Sequence, residues 1–399
     1  MGKKAVIFTC FGIALAIAGF LAFGTDLTNS VVQTGSFLGD IAPTEDNMLA
    51  GSEAAGKEPV DIAKNEKIAV VPEKVNAIYA TFWSASSVSK IDYLLSLIKE
   101  TEANALVVDI KDFSGSIAYK TGDPEIEKYK TESPVIKDVR GLVDKLHAEN
   151  VYAIARIVVF QDPALAKARP DLAVKSAKTG AVWTDNKNLA WVDPSSVEVW
   201  EYNERLAKNA FAMGFDEVNF DYVRFPSDGS LADMSFPFYW ETKTKREAMK
   251  EFFVHLRGAL EGEIISADLF GLVTSASDDM GIGQYLEDTY GNFDFICPMV
   301  YPSHFASGFI GYKNPASYPY EVVKYSGEKA EARLAALVPD GEVPKTLLRP
   351  WLQDFNLGAT YGENEVRLQI KAVAETSNAG WMLWDPKNNY TKKGFTVSE

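Results

Sequence analysis

The chain has 399 residues and carries 55 acidic against 40 basic side chains, a net charge of -15 that argues against nucleic acid or an anionic lipid surface as partner, because such contacts need Lys and Arg to displace counterions. Hydrophobic content of 47% suits a large core, and an aromatic share of 12% exceeds what a core needs and points to a stacking surface for a neutral ligand. With only Cys10 and Cys297 present, and Cys10 inside an apolar run, a disulfide framework is excluded.

Met1 to Lys4 is basic and Ala5 to Gly24 is uncharged and apolar. Residues 1–24 therefore read as a signal peptide or membrane anchor, with residues 5–24 touching the membrane if uncleaved. The length favours the anchor, although Ala22-Phe23-Gly24 offers a small-x-small cleavage site. Either way the bulk of the chain is expected to be exported. Residues 25–75 are rich in Gly, Ser, Thr, Ala, Glu and Lys without periodicity and read as a disordered linker. One folded unit is expected over residues 76–390.

Within it, strand patterns fall at Ala77 to Phe82, Ala105 to Lys111, Val151 to Phe160, Glu217 to Arg224, Ile264 to Phe270, Phe293 to Tyr301, Thr346 to Leu352 and Gly380 to Trp384. Helical patterns alternate with them at Ser89 to Thr101, Val139 to Asn150, Ser196 to Met213, Thr242 to Glu261, Ile282 to Tyr290, Pro319 to Leu337 and Glu363 to Ser377. Strict alternation with eight strands predicts an α/β fold, the (β/α)8 TIM barrel. The rival is an open doubly wound sheet, but Thr81-Phe82-Trp83-Ser84 stands where such a sheet carries its Gly-rich phosphate turn. Little chain follows the eighth strand, so the closing helix is expected to be short, missing or supplied from before the first strand.

The expected C-terminal strand ends carry Trp83, Asp109, Lys111, Arg156, Asn219, Asp221, Arg224, Asp268, Tyr301, His304, Trp351, Asp354 and Trp384, and the loop from Asp171 to Pro194 adds Trp183 and Trp191. Carboxylates and indoles dominate this set. Sugar rings stack on aromatics, their hydroxyls bond to Asp, Asn and Arg, and glycosidic bonds are cleaved by a carboxylate pair.

Each position has a plainer alternative. Asp221 is a nucleophile or general acid/base, or else a structural carboxylate paired with Arg156 or Arg224. Asp268 reads as a catalytic carboxyl, a helix cap or a ligand contact, and Asp354 as catalytic or as turn chemistry. Asp109 and Lys111 share a face by period two, which makes an internal ion pair the alternative to substrate contact. Trp183, Trp191, Trp351 and Trp384 form a stacking platform or belong to the core. His304 is a catalytic or a loop residue. With only His147, His255 and His304 present, no metal site is expected, and no cofactor motif is found.

The runs Ala105-Leu-Val-Val-Asp-Ile-Lys-Asp with Gly115, Ala155-Arg-Ile-Val-Val-Phe-Gln-Asp-Pro, Trp191-Val-Asp-Pro and Phe215-Asp-Glu-Val-Asn-Phe-Asp-Tyr-Val-Arg-Phe-Pro together resemble a bacterial family of exported barrel proteins with inferred glycoside hydrolase activity. More distantly, Val218-Asn-Phe-Asp-Tyr-Val-Arg is similar to the fourth-strand motif of the alpha-amylase superfamily. That resemblance implies Asp221 as nucleophile, an acid/base at the end of the fifth strand where Asp268 stands, and Asp354 near a stabilising carboxylate. The chain departs from that pattern in having Asp rather than Glu at the fifth strand and Gln353-Asp354 rather than His-Asp at the seventh. The expected function is cleavage of an extracellular or cell-wall polysaccharide or glycoconjugate by two carboxylates; the alternative is a noncatalytic carbohydrate-binding or envelope scaffold on the same barrel.

Overall fold

The computed structural model describes residue 68 and residues 71–239 and 242–396. The expected anchor and the linker up to residue 67 lie outside the described residues. The remainder is a closed parallel barrel: β1 (Val75–Ala80), β2 (Ala105–Lys111), β3 (Tyr152–Val158), β4 (Glu217–Asp221), β5 (Ile264–Phe270), β6 (Phe295–Met299), β7 in two pieces (Leu347–Leu348 and Trp351–Gln353) and β8 (Gly380–Trp384). Every neighbour pairs in parallel, and β8 returns to β1 through Val75 opposite Gly380. The break in β7 falls at Arg349-Pro350, where proline has no N–H for the ladder, and the Pro350 carbonyl instead accepts from Met382 of β8.

Around the barrel stand α1 (Val88–Lys99), α2 (Val139–Ala148), α3 (Val197–Ala212), α4 (Lys245–Ala259), α5 (Pro319–Ala335) and α6 (Glu363–Ala374). Their starts follow local chemistry. Ser87 caps α1 and Asp138 caps α2, while Thr244 and Glu247 close a reciprocal capping box on α4. Each turns an apolar stripe inward, as with Ile91, Leu94, Leu95 and Ile98 of α1.

The helix expected over Ile282 to Tyr290 is a correction: only a one-turn 3-10 segment, Leu286–Thr289, forms there. Gly281 and Gly283 hold φ of +68° and +84°, and a Cβ on Gly283 would stand 2.7 Å from the Lys245 carbonyl, so this stretch is a close-packed turn against α4. After β8 a single 3-10 turn, Lys392–Phe395, takes the place of a closing helix.

Two cores result from the period-two alternation of the strands. Outward residues such as Val218, Phe220, Ala153 and Ala155 pack against the helices. Inward residues such as Ala77, Val107, Ile154, Cys297, Trp351 and Met382 fill the barrel. At about 25 cal/mol per Å2, each fully buried aliphatic side chain contributes roughly 1.5–3 kcal/mol. On β4 the inward set is polar throughout, Glu217, Asn219 and Asp221, all buried.

Candidate active site

Those three β4 side chains sit at successive depths, and each has its own partners. At the bottom Glu217 accepts from both terminal nitrogens of Arg349 and from Ser266 Oγ at 2.5 Å. Half-way up, Asn219 Nδ2 donates to Ser266 Oγ and to Asp268 Oδ1, each at 2.9 Å. At the C-terminal mouth, Asp221 Oδ2 accepts from Arg156 Nη2 of β3.

Arg156 is the centre of the mouth. Its Nη1 donates to Asp109 Oδ1 at 2.6 Å, its Nη2 to Asp221, and its Nε lies 3.6 Å from Asp268 Oδ2. Tyr79 of β1 donates its hydroxyl to the other oxygen of Asp109 at 2.5 Å. One guanidinium thus faces three carboxyl groups in a site that excludes most water, and full ionisation of all three is unfavourable.

Asp268 resolves the imbalance. Burial, followed by the charge of Asp221, raises its pKa well above the carboxylate range, against the opposing pull of Arg156. Its Oδ1 accepts from Asn219 and, at 2.7 Å, from Trp351 Nε1, while Oδ2 has no hydrogen-bond partner among the described residues. Both N–H donors engage Oδ1, which leaves Oδ2 as the oxygen able to carry a proton.

The backbone beside Asp221 is strained. The strand ends at Asp221, three residues earlier than its hydrophobic pattern predicts, because Tyr222 adopts φ of +53°. Such a conformation costs a bulky residue on the order of 1–3 kcal/mol and persists where the surroundings enforce it. Here it turns the Tyr222 N–H onto Asp221 Oδ1 at 2.6 Å and so fixes the carboxylate plane.

A family with the description "Putative glycosyl hydrolase domain" matches residues 77–390. The chain belongs to this family. Among solved structures, a hypothetical protein from Ruminiclostridium thermocellum ATCC 27405 is 36% identical over 51% of this chain and 98% of its own, with a TM-score of 0.45. The glycoside hydrolase domain of PgaB (BpsB) from Bordetella bronchiseptica is 13% identical over 82% and 100%, with a TM-score of 0.57, a likeness of fold alone. That of PelA from Pseudomonas aeruginosa is 12% identical over 80% and 97%, with a TM-score of 0.46. No curated protein matches the chain.

In this domain Asp109, Arg156, Asn219, Asp221, Asp268 and Trp351 converge on one cluster. Lys111 does not join them, and the expected Asp109–Lys111 pair is corrected. The ladder to β3 slips between these residues, so Lys111 turns outward to Asp162 at 2.7 Å and to Asn203 of α3 at 3.0 Å. Asp354 is also elsewhere: it accepts from the Thr391 N–H and hydroxyl at 2.7 and 2.6 Å and ties down the C-terminal segment. Burial raises its pKa to about 6.

The indoles divide as well. Trp183 and Trp191 are buried, donating to the Ser230 carbonyl and to Asp185. Half-buried Trp384 stacks on Tyr301 with centroids 5.7 Å apart, Phe355 meets Trp384 edge-on at 5.1 Å, and exposed His304 lies 5.2 Å from Tyr301. Trp83 is 65% exposed beyond the end of β1. Arg224 is buried against aromatic rings near Asp221.

Two residues outside the sequence-derived set belong to this face. Tyr79 is inward by the same alternation as Ala77, and period two along β1 would have found it. Phe113 is 54% exposed just past β2, and no pattern distinguishes it from any loop aromatic. A groove of about 840 Å3 lies elsewhere, on the outer face of α3 between Asp123, Tyr129, Glu198 and Arg205. Its mixed surface charges share no residue with the barrel mouth.

Proposed function

We propose that this chain is an exported glycoside hydrolase, tethered or secreted through residues 1–24, that cleaves an extracellular or cell-wall polysaccharide or glycoconjugate. The observation that carries the reading is the unequal carboxyl pair at the mouth. Asp268 is biased toward its acid form, and Asp221 is ion-paired to Arg156. An acid beside a carboxylate of different environment is the division of labour that glycoside hydrolysis requires.

In the proposed reaction Asp221 attacks the anomeric carbon while Asp268 Oδ2 gives its proton to the departing glycosidic oxygen. Water then enters, Asp268 takes one of its protons, and the resulting hydroxyl releases Asp221 from the sugar. Atoms and charges return to the starting state. The two acids meet adjacent nitrogens of one guanidinium edge, which supports the short separation, about 5 Å, of retaining enzymes. Asp221 and Asp268 are themselves covered, at 4% and 1% exposure, so a substrate must displace neighbouring side chains to reach them.

The covered pair also favours a second reading, a noncatalytic glycan-binding scaffold in which Arg156 simply neutralises the mouth. A panel of cell-wall and capsular polysaccharides separates the two. Product release by the wild type, its loss in Asp221→Asn, and a glycosyl ester on Asp221 trapped with a fluorosugar and seen by mass spectrometry support hydrolysis. Binding without product from any glycan supports the scaffold.

A further inference from the structure

Three arginines stand in or beside the barrel, Arg224 and Arg349 buried and Arg156 nearly so, and Arg224 differs from the other two. Arg156 and Arg349 both hold carboxylates. Arg224 is 7% exposed, yet among the described residues it forms no ion pair. It donates only through Nη1, to the Phe225 carbonyl and Ser227 Oγ, each at 3.1 Å. Its Nε and Nη2 donate to nothing among the described residues, and neither is among the fully enclosed polar atoms left without a partner. That edge of the fork is open.

The guanidinium is held by rings. Phe270 lies 4.6 Å, Trp191 4.8 Å and Tyr222 5.1 Å from its central carbon. Rings stabilise a cation through their faces, but they cannot accept the in-plane N–H groups as a carboxylate does. Nearby Asp185 is committed to the Lys187 and Leu189 N–H groups and to the Trp191 indole. Half-buried Asp228 is near enough for its charge to act on Arg224 but is not within ion-pair distance of it. Exposed Lys187 lends a second positive charge to the same rim. The location adjoins the proposed catalytic pair: Tyr222 follows Asp221 directly, and Phe270 lies two residues beyond Asp268.

We propose that the Nε/Nη2 edge of Arg224 seats a two-oxygen anion carried by the glycan, a uronate carboxylate or a phosphodiester, beside the Asp221–Asp268 pair. A planar fork matches such an anion bidentately, and an anchored cation needs no reorganisation to receive it. A neutral sugar leaves the same cation unpaired, so the site selects for acidic glycans. The net charge of -15 repels acidic polymers at long range, so this proposal departs from the neutral ligand that composition points to, and the site has to gain its affinity for an anion locally, through Arg224. The proposal rests on the glycan reading for its location, but binding can be measured without turnover.

The test is calorimetry on the full chain carrying Asp221→Asn. The ligands are oligogalacturonate, oligomannuronate and glucuronate-containing oligosaccharides, each beside its carboxyl-reduced twin, and a poly(glycerol phosphate) oligomer. At least one acidic ligand is expected to bind about tenfold or more tightly than its neutral twin, with the glycerol phosphate arm telling phosphodiester from uronate. Adding Arg224→Gln should bring that ratio close to one. If Arg224→Gln does not fold, as judged by its melting transition, Arg224→Lys keeps the charge without the fork and should cut the ratio at least threefold. The proposal is overturned if no anionic ligand binds more tightly than the neutral ones, or if the preference survives either substitution. Binding of an acidic glycan that the wild type never cleaves would sink the hydrolase reading and leave the Arg224 site standing.

Discussion

The lower and upper halves of the barrel interior are built from the same kinds of residue and differ in how charge is matched. Below, Arg349 meets one carboxylate, Glu217, whose oxygens are also engaged by Ser266 and Tyr152, and both members of the pair have no exposed side-chain surface. Above, Arg156 meets three carboxyl groups, and burial pushes the pKa of two of them upward, Asp109 and, further, Asp268. The unbalanced half biases a buried carboxyl toward its acid form beside an ion-paired carboxylate, and the proposed acid/base chemistry rests on that difference.

The largest expected effect breaks the upper half. Asp221→Asn should reduce turnover of a competent glycan about 10^4-fold, as loss of a nucleophile does, with a smaller loss of melting temperature, because Arg156 keeps Asp109 but the amide has one oxygen for the two donors, Tyr222 N–H and Arg156 Nη2, that Asp221 accepts from. Undiminished product formation in that variant would remove Asp221 from the mechanism.

Next comes the lower half. Arg349→Met leaves Glu217 buried and uncompensated and should cost about 3–5 kcal/mol in chemical denaturation. Changing both, with Glu217→Leu, should restore most of it. A loss below about 1 kcal/mol in the single variant would mean that water reaches Glu217 and the halves are not distinct.

Asp268→Asn sharpens the contrast through pH. Because the folded-state pKa of Asp268 is raised, its acid form is lost as pH rises through that value, so wild-type turnover should fall on the alkaline side. The variant should lose about 10^2-fold or more in rate, recover on substrates with an activated leaving group, and show no alkaline limb from this group. An unchanged pH profile would exclude Asp268 as the donor.

The smallest effect concerns Asp354, outside both halves. Its folded pKa of about 6 exceeds the ordinary 3.8, so the folded chain holds the extra proton more tightly. Its contribution to stability is full below the ordinary value and is lost as pH rises through about 6. Asp354→Asn should flatten the dependence of unfolding free energy on pH across that window, by up to about 3 kcal/mol. A dependence as steep as the wild type's would show that other groups set it.

Much of this was readable along the chain. Eight strand patterns alternating with helical ones determine a barrel, since a strand buried on both faces and an amphipathic helix have few other ways to cover each other. The inward placement of Asn219 and Asp221 follows from a period of two, which needs no knowledge of neighbours. That periodicity failed where backbone detail intervened. A slip at Asp109/Lys111 sends Lys111 to Asp162, and the left-handed Tyr222 ends β4 early.

What the sequence determined by itself is the fold, the strand-end inventory and the polar character of β4, all consequences of local pattern and covalent geometry. Tertiary structure decided the pairings: which of Asp109, Asp221, Asp268 and Asp354 share Arg156, which indoles are buried, and which arginine keeps an open edge. Those choices depend on distances between side chains as far apart in sequence as Asp109 and Asp268, and a buried charge takes its energy from the partners that packing brings to it.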